Sequence, residues 1–445
     1  MKVLLTQALP SLVDQPPNLP DLAFGYLSSL LARNGHDVCI LDWNMDPRME
    51  AYREALARIA PDVVGVKFFT KDAAAAAATM RAIREEAPNA VIVVGGPHAS
   101  CCPPCELFAA FPECDFLMAG EAELGLPALL SALPNRTDRR APAPAFAAIP
   151  GLAWRENGSV RANGTASVEF LDELDRPSWD LIPPSSYRGG MIASASSEGD
   201  SAPIMTTRGC PAHCSFCCVH LVSGYRIRRR SPENVIGEMR FLYDNHNVRK
   251  FMFMDNCFTS HRDGLKRLCN LIIESGMKIE WDCSSYERID NLDDETLPLM
   301  RRSGCTYVHL GVESASGRVR ENMGKGCSLE EYGRTVRLIR KHRISAGGWF
   351  MLGFPDEGLS DMMKTIAFAF TSGFNLICFT TCFPFPGTRV YDFLKGKHRV
   401  EKVDWTNFDI DRSPYPLSRL SSGQLTALLK FVRLLIRFHG LARRS

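Results

Sequence analysis

Three closely spaced cysteines carry the most distinctive chemistry of this 445-residue chain. Cys210, Cys214 and Cys217 have the spacing C-x3-C-x2-C, and Cys218 follows directly. Three thiolates this close together can bind three irons of one [4Fe–4S] cube. The fourth iron is then open to a small ligand, because such a cluster normally takes four cysteines. The spacing therefore predicts an iron–sulfur cluster with one accessible iron.

Two other interpretations of these cysteines fit less well. Cysteines of a reducing compartment are often small buried apolar residues, but this run also contains Gly209, Pro211 and His213, which are typical of a loop. Zinc sites usually use two separated pairs of ligands, and the sequence has no matching second pair at that spacing. Within the cluster interpretation one alternative stays open, because Cys218 in place of Cys217 would give C-x3-C-x3-C.

The cysteine loop resembles the signature of radical S-adenosylmethionine (SAM) enzymes. The resemblance implies that SAM binds the open iron through its amino and carboxylate groups, and that one electron from the cluster cleaves it to a 5′-deoxyadenosyl radical. It also implies protein contacts to SAM. Phe216 would face the adenine, and Asp255 would lie near the amino group. Gly311 and Glu313 form a G-x-E-S motif near SAM, and Arg288 would bind the carboxylate.

The elements that must position these residues alternate between strand and helix. Near-continuous apolar strands separated by helices predict an α/β fold with parallel sheets covered on both faces. In the second half, six strand–helix units predict a partial (β/α)6 barrel. The cysteine loop, Asp255 and Glu313 then follow the carboxyl ends of barrel strands, where barrel chemistry is found. Segments 353–357 and 384–388 resemble further strand-end motifs of the same enzymes.

The first half is predicted to be a Rossmann-like domain in which one strand ends at Gly95 and Gly96. Ligands bind at the carboxyl ends of such strands, and paired glycines let a large flat group approach the backbone. This turn and segment 120–123 resemble the cobalamin-binding domain of the B12-binding radical SAM family, which implies bound cobalamin. The alternative is a related domain without cobalamin. A nearby C-x-x-C pair, Cys102 and Cys105, is interpreted as part of a loop into the next helix.

Composition and segment boundaries complete the prediction. The net charge of +2 gives no indication of nucleic-acid binding, and no apolar run is long enough to span a membrane. Sixteen cysteines in a long chain whose start does not resemble a signal peptide indicate a reducing cytoplasm. The predicted segments are a Rossmann-like B12-binding-type domain (1–135), a linker with a hairpin (136–200), the radical SAM barrel (201–395) and a short helical tail (396–445).

Together the resemblances imply a cobalamin-dependent radical SAM methyltransferase that acts on an unactivated carbon of a small metabolite. Such an enzyme uses one SAM to methylate cob(I)alamin and a second to abstract hydrogen from the substrate, with a flavodoxin or ferredoxin as the usual electron donor. The alternative is a cobalamin-independent dehydratase, deoxygenase or rearrangement enzyme acting on a sugar or diol, which the C-x3-C-x3-C spacing keeps open. The intact Asp255 and Glu313 segments disfavour a noncatalytic cofactor-binding protein.

Overall fold

The computed structural model describes the chain in nine stretches: residues 1–8, 19–42, 48–133, 143–187, 199–287, 289, 291–398, 403–405 and 415–442. Two large sheets organise these residues, one of seven strands and one of six, together with a two-stranded ribbon. The α/β fold class expected from the sequence is confirmed.

The strands of the described residues are numbered in chain order. They are β1 (Lys2–Gln7), β2 (Asp37–Leu41), β3 (Val63–Lys67), β4 (Val91–Gly95), β5 (Phe116–Met118), β6 (Leu152–Glu156), β7 (Ser159–Ala162), β8 (Asp200–Ile204), β9 (Thr207–Arg208), β10 (Arg228–Arg229), β11 (Val248–Phe253), β12 (Glu280–Glu287), β13 (Cys305–Glu313), β14 (Ser345–Leu352) and β15 (Leu376–Thr381).

The α-helices are numbered in the same way. They are α1 (Leu22–Arg33), α2 (Met49–Ile59), α3 (Ala73–Glu86), α4 (Gly96–Cys101), α5 (Pro104–Ala110), α6 (Ala122–Ala132), α7 (Ala143–Phe146), α8 (Val219–Ser223), α9 (Pro232–Asn245), α10 (Arg262–Ser275), α11 (Thr296–Arg302), α12 (Gly317–Met323), α13 (Leu329–Lys341), α14 (Leu359–Thr371), α15 (Arg389–His398) and α16 (Ser422–Ala442).

Several helix ends follow from local sequence signals. The Asp21 side chain accepts a hydrogen bond from the Ala23 amide at 2.9 Å and so caps α1. Ser328 and Glu331 form a reciprocal capping box at the start of α13. Gly276 ends α10 in the left-handed region, with φ of +69°, which glycine adopts without strain. These signals fix where the connecting loops begin.

The first sheet has the strand order β2-β1-β3-β4-β5-β6-β7. Strands β1 to β5 are parallel, and the order β2-β1-β3-β4-β5 is that of flavodoxin-like sheets, which bind ligands where the order reverses between β1 and β3. The predicted hairpin is confirmed as β6 and β7, which extend the sheet in antiparallel fashion. Its turn residues, Asn157 and Gly158, both have positive φ, as a type I′ turn requires.

The second sheet is the predicted partial barrel. Its six strands are all parallel and follow the order β15-β14-β13-β12-β11-β8, so each new strand of the barrel adds beside the previous one. On β13 the side chains of Val308, Leu310 and Val312 belong to the hydrophobic core, whereas Tyr307 and His309 alternate with them and lie on the opposite face. The barrel core thus lies between the sheet and its helices.

The C-terminal helix α16 packs on the barrel. Leu429 and Val432 are buried in the barrel core, and Leu425 and Ile436 pack against it. A hydrophobic stripe of this kind secures a helix to its own domain. Among the described residues, no helix combines the length and the hydropathy that a membrane span requires.

Candidate active site between the two sheets

The predicted cluster cysteines lie together on the loop between β9 and α8. Gly209 begins this loop with φ of +90°, and a Cβ there would lie 2.2 Å from the Arg226 carbonyl oxygen, so the turn requires glycine. Cys210, Cys214 and Cys217 are each partly exposed, and the Cys217 amide donates to the Cys214 carbonyl at 3.1 Å. Soft thiolates on one accessible loop are the donor set that an iron–sulfur cluster requires.

The loop does not bring its thiols to one point. In the described part of the chain, no three His, Cys, Asp or Glu side chains are placed to hold a single metal ion. A cubane makes a different demand, because each thiolate binds a separate iron at its own corner of the cube. Burial raises the pKa of Cys217 to about 12, and the thiols of Cys218, Cys214 and Cys210 add to this effect, so the thiols are near neighbours, as the corners of one cube require.

Cys218 lies beside Cys101, a residue of the first domain at the end of α4. The Cys101 sulfur lies 4.0 Å from the Cys218 carbonyl oxygen, and contact with the Cys218 thiol together with burial raises the pKa of Cys101. The same contact lowers the pKa of Cys218. Cys217 as the third cluster ligand stays a prediction from the cysteine spacing, with Cys218 as the alternative.

A further cysteine lies at the cluster loop and was missed by sequence reasoning. The Cys257 sulfur lies 3.4 Å from the Cys210 sulfur, and Cys257 is buried. It follows strand β11, two residues after Asp255, and its spacing from the other cysteines gives no sequence signal for this contact.

The cluster loop rests on the end of α12. The Ser215 amide donates to the Met323 carbonyl at 3.0 Å, and the Ser215 hydroxyl donates to the Asn322 carbonyl at 2.9 Å. The next residue along, Gly324, has φ of +77° and approaches the His213 backbone so closely that a Cβ would lie 3.2 Å from its carbonyl oxygen. The end of α12 and the turn after it therefore pack against the cysteine loop and support it.

Lys325 follows this turn and forms an ion pair with Glu313. Its Nζ lies 3.4 Å from Glu313 Oε1 and donates to the Gly311 carbonyl at 2.9 Å. Burial acts to lower the pKa of Lys325, but the Glu313 carboxylate, Tyr332 and Cys214 together outweigh it, and the pKa is raised. Sequence reasoning found Gly311 and Glu313 but missed this cation, which joins them to the cluster loop.

Glu313 itself holds an unusual backbone conformation. It has φ of +67° at the carboxyl end of β13, and its side chain is buried. A non-glycine residue in the left-handed region stores strain that the surrounding structure must hold, and such residues concentrate at functional sites. The strain supports a role for this carboxylate that an ordinary strand residue would not need.

Asp255 braces the turn that leads into the cluster loop. Its Oδ1 accepts hydrogen bonds from the Thr206 amide at 2.7 Å, the Thr206 hydroxyl at 3.1 Å and the Thr207 amide. Its Oδ2 is buried and has no hydrogen-bond partner among the described residues. Burial raises the pKa of Asp255 to about 6. A buried carboxylate oxygen without a partner is rare and suits an ammonium group brought by a ligand.

The remaining barrel residues divide into three cases. Phe216 is partly buried and packs against a hydrophobic cluster. Arg288 lies outside the described residues. Glu357, in segment 353–357, accepts hydrogen bonds through Oε2 from the Gly353 amide at 2.7 Å and the Phe354 amide at 3.0 Å, and burial raises its pKa to about 7. This carboxyl braces its own turn.

A cavity of about 270 Å³ opens between the carboxyl ends of the two sheets. Gly95 faces it so openly that the nearest atom to an added Cβ would be the Met118 carbonyl oxygen at 3.7 Å. Gly96 has φ of +87°, and a Cβ there would lie 2.7 Å from the Lys67 side chain. The lining from the first domain includes Leu5, Leu22, Val66, Lys67, Val93, Gly95, Gly96 and Gly120, and that from the barrel side includes Met205, Thr207, Arg208, Val222, Met254 and Asn256.

His98 follows the glycine turn but points into the first domain. Its Nδ1 lies 3.0 Å from the Thr70 hydroxyl, and its ring packs against Phe68, Phe111 and Trp405. Burial lowers the pKa of His98 to about 3, so the ring is neutral. The described residues lining the cavity include no histidine, and the apolar, glycine-floored wall fits a large corrin ring held by shape.

Comparisons with known proteins agree with this architecture. The Radical SAM superfamily model matches residues 204–369, and the B12 binding domain model matches residues 14–130. An uncharacterized methyltransferase of Pyrococcus horikoshii is 30% identical over 419 residues, covering 92% of this chain and 86% of the relative. The anaerobic magnesium-protoporphyrin IX monomethyl ester cyclase of Rubrivivax gelatinosus is 27% identical over 400 residues, covering 88% and 69%.

The fold is also similar to a solved structure. The radical SAM methyltransferase TsrM from Kitasatospora setae, determined with cobalamin and a [4Fe–4S] cluster, matches with a TM-score of 0.69 and 20% identity, over 91% of this chain and 76% of that chain. The expected cofactors, a [4Fe–4S] cluster, SAM and cobalamin, are thereby confirmed. The chain belongs to the radical SAM superfamily, among those members that carry an N-terminal B12-binding domain.

Proposed function

We propose that this enzyme transfers a methyl group from SAM to an unactivated carbon of a small molecule. The observation that carries the proposal is the shared cavity, which has Gly95 and Gly96 of the B12-binding domain on one wall and Arg208, Met254 and Asn256 of the barrel on the other. A reaction that needs both cofactors requires them to face one substrate within bond-forming distance.

The bound cofactors would supply the difficult chemistry: the cluster cleaves SAM to a radical, and cobalamin carries the methyl group. The chain would hold them with different groups. Cys210, Cys214 and Cys217 would ligate three irons. The Oδ2 atom of Asp255 would receive the SAM ammonium, since it is buried without a partner among the described residues. Lys325 would offer its charge to the SAM carboxylate while Glu313 holds it in place.

Three further assignments belong to the same proposal. Phe216, between two of the cluster cysteines, would contact the adenine of SAM. Gly95 and Gly96 would let the corrin ring approach the backbone. Arg288 remains a candidate for the SAM carboxylate from its sequence position alone. We also propose a flavodoxin or ferredoxin as electron donor and a reducing cytoplasm as the location, because the cluster is sensitive to oxygen.

A second candidate function is a radical reaction without methyl transfer, such as a dehydration, deoxygenation or rearrangement. The specific observation in its favour is the similarity to a cyclase over 88% of this chain. This reaction would form 5′-deoxyadenosine from SAM but would leave the methyl group of SAM unused.

The test separates these candidates by their SAM products. Anaerobically reconstituted enzyme is incubated with reductant, SAM carrying a trideuterated methyl group, and a metabolite extract of the cells that express it. Methyl transfer predicts a trideuteromethyl-labelled product, with S-adenosylhomocysteine and 5′-deoxyadenosine in equal amounts. The hydrogen abstracted from the substrate carbon is recovered in the 5′-deoxyadenosine. Substrate-dependent 5′-deoxyadenosine without S-adenosylhomocysteine would contradict methyl transfer and favour the second candidate.

A further inference from the structure

A buried ion-pair network joins the two cofactor-binding domains at the wall of the shared cavity. Glu123, in the first turn of α6, pairs with Arg208 at 2.6 Å. Glu121, at the start of the same helix, pairs with Arg228 at 2.5 Å and lies 3.3 Å from Arg208. All four side chains are at most 10% exposed. Both acids lie in the first domain, and both arginines lie in the barrel domain.

The local structure explains why the acids and arginines need each other. Arg208 and Arg228 are direct partners on the antiparallel ribbon β9–β10, and like charges directly opposite one another destabilise a sheet. Glu121 and Glu123 neutralise them. The two acids also lie at the amino end of α6, where the helix dipole favours negative charge.

The network lies close along the chain to both cofactor-binding segments. Arg208 is separated from the cluster cysteine Cys210 by one residue, and Glu121 follows directly on Gly120, which lines the cavity with φ of +76°. The guanidinium carbon of Arg208 also lies over the Tyr26 ring of the first domain, 5.6 Å from the ring centroid. A guanidinium group fixes both the distance and the angle to its carboxylate partner, because its planar donors bind a carboxylate in a defined geometry.

Holding domains together does not require such a network. Buried ion pairs cost desolvation, and apolar residues of similar volume would often stabilise an interface equally well. We propose that Glu121 and Glu123 are positioning residues, which act through Arg208 and Arg228 to fix the distance and orientation between the cluster and cobalamin. The proposal rests on the two-cofactor site of the proposed function, and it gives the two glutamates of segment 120–123, which line the cavity, a role that they exert through the arginines.

The first domain offers a control for this proposal. Arg84 and Asp115 form an ion pair at 2.9 Å, and Asp115 also accepts a hydrogen bond from the Ile92 amide at 2.9 Å. Asp115 directly precedes β5, at the amino end of that strand, and neither residue of the pair lines the cavity. Loss of the Asp115 charge disturbs an ion pair within one domain and leaves the ion pairs between the two domains in place.

The test compares Glu123→Gln with Asp115→Asn in protein loaded with both cofactors. The readout is the electron-spin relaxation of bound cob(II)alamin, which a nearby reduced cluster accelerates steeply as the distance shortens. Loosening by about 1 Å is the scale at which an unsupported site fails. Glu123→Gln is expected to change the relaxation rate roughly twofold and to broaden its distribution, with wild-type iron and cobalt contents. Asp115→Asn should leave the rate unchanged.

A second variant protects the test from a folding failure. Arg208→Lys keeps the charge but loses the planar fork, so it is expected to shift the relaxation rate less than Glu123→Gln does. The proposal is overturned if Glu123→Gln and Arg208→Lys both retain the wild-type rate, or if Asp115→Asn changes the rate as much as Glu123→Gln does. If the wild-type enzyme transferred no methyl group, only the proposed function would be contradicted, because the relaxation rate needs no substrate.

Discussion

The two domains that meet at the shared cavity carry different kinds of residue. The barrel has thiols, a strained glutamate, a buried lysine and an aspartate with an oxygen unpaired among the described residues near the carboxyl ends of its strands. The first domain lines the cavity mainly with glycines and apolar side chains, beside Lys67, Glu121 and Glu123, and its His98 is turned inward. Under the proposed function, the barrel would bind its cofactors with ligands and charges, whereas the first domain would make room for a large ring.

This difference teaches how each wall should respond to substitution. Ligand bonds and buried charges are lost as whole units, because removing one partner strands the other. A wall that works by shape fails by degrees, since each added methyl group displaces only part of the ligand. Barrel-side changes should therefore be severe, and changes in the glycine turn should be graded.

The sharpest contrast is expected between two adjacent cysteines. Cys217→Ala should lose the cluster, because only two of its three thiolates remain, whereas Cys218→Ala should keep about four irons per chain. Iron analysis of both variants after anaerobic reconstitution decides between them. The reverse result would assign the third thiolate to Cys218.

The next largest effect should come from the Lys325–Glu313 pair. Lys325→Met leaves a buried carboxylate without its cation beside the SAM site, and SAM affinity is expected to fall roughly tenfold or more with the cluster intact. Glu313→Gln should act in the same direction. Equilibrium titration with SAM measures both.

An exposed lysine serves as the control for that titration. Lys341 pairs with Asp294 on the surface, with both side chains more than 60% exposed, so Lys341→Met should leave SAM affinity unchanged. Wild-type SAM affinity in both Lys325→Met and Glu313→Gln would remove this pair from the site.

Glu357 is a buried acid of the barrel for which a structural role is expected, and the pH dependence of stability tests that role. Its folded-state pKa of about 7 lies above the ordinary value of 4.5, so the stability it contributes is complete below pH of about 4.5 and is lost as the pH rises through about 7. The glutamine side chain of Glu357→Gln is neutral over this whole pH range. Relative to wild type, this variant should gain about 2 kcal/mol in free energy of unfolding between pH 5 and pH 8. Anaerobic urea unfolding at both values measures the change, and parallel pH profiles would contradict it.

The smallest effect is expected at the glycine turn. Gly95→Ala adds one methyl group to the cavity, and overpacking of this kind costs about 1–2 kcal/mol, or roughly a tenfold loss in cobalamin affinity. The control is Gly164→Ala, because an added Cβ there meets no atom within 4 Å. Cobalamin titration followed by visible absorption compares them. An all-or-none loss in Gly95→Ala would contradict the view of this wall as a surface that works by shape.

The sequence predicted what local patterns encode. The cysteine spacing, the apolar strands and the Asn157-Gly158 turn are each contained in a few consecutive residues, and the fold class and cofactors inferred from such patterns are confirmed. The predicted boundary at residue 135 stays a prediction, although the first sheet continues through β7 at Ala162.

Other features could not be predicted because the fold alone brings their partners together. Cys257 is 47 residues from Cys210, and Glu123 is 85 residues from Arg208. Lys325 reaches Glu313 across the turn that follows α12. A pairwise contact of this kind leaves no periodicity or spacing in the sequence, so these supporting residues could not be predicted from it.

The measurement that tests the central claim most directly is the cobalt and iron content of the protein after anaerobic expression with cobalamin supplied. A cavity that holds cobalamin opposite the cluster predicts about one cobalt and about four irons per chain. The visible spectrum should show a corrinoid in the same sample. About four irons with no cobalt would contradict the account, because the glycine-floored wall would then have no cofactor to present to the cluster.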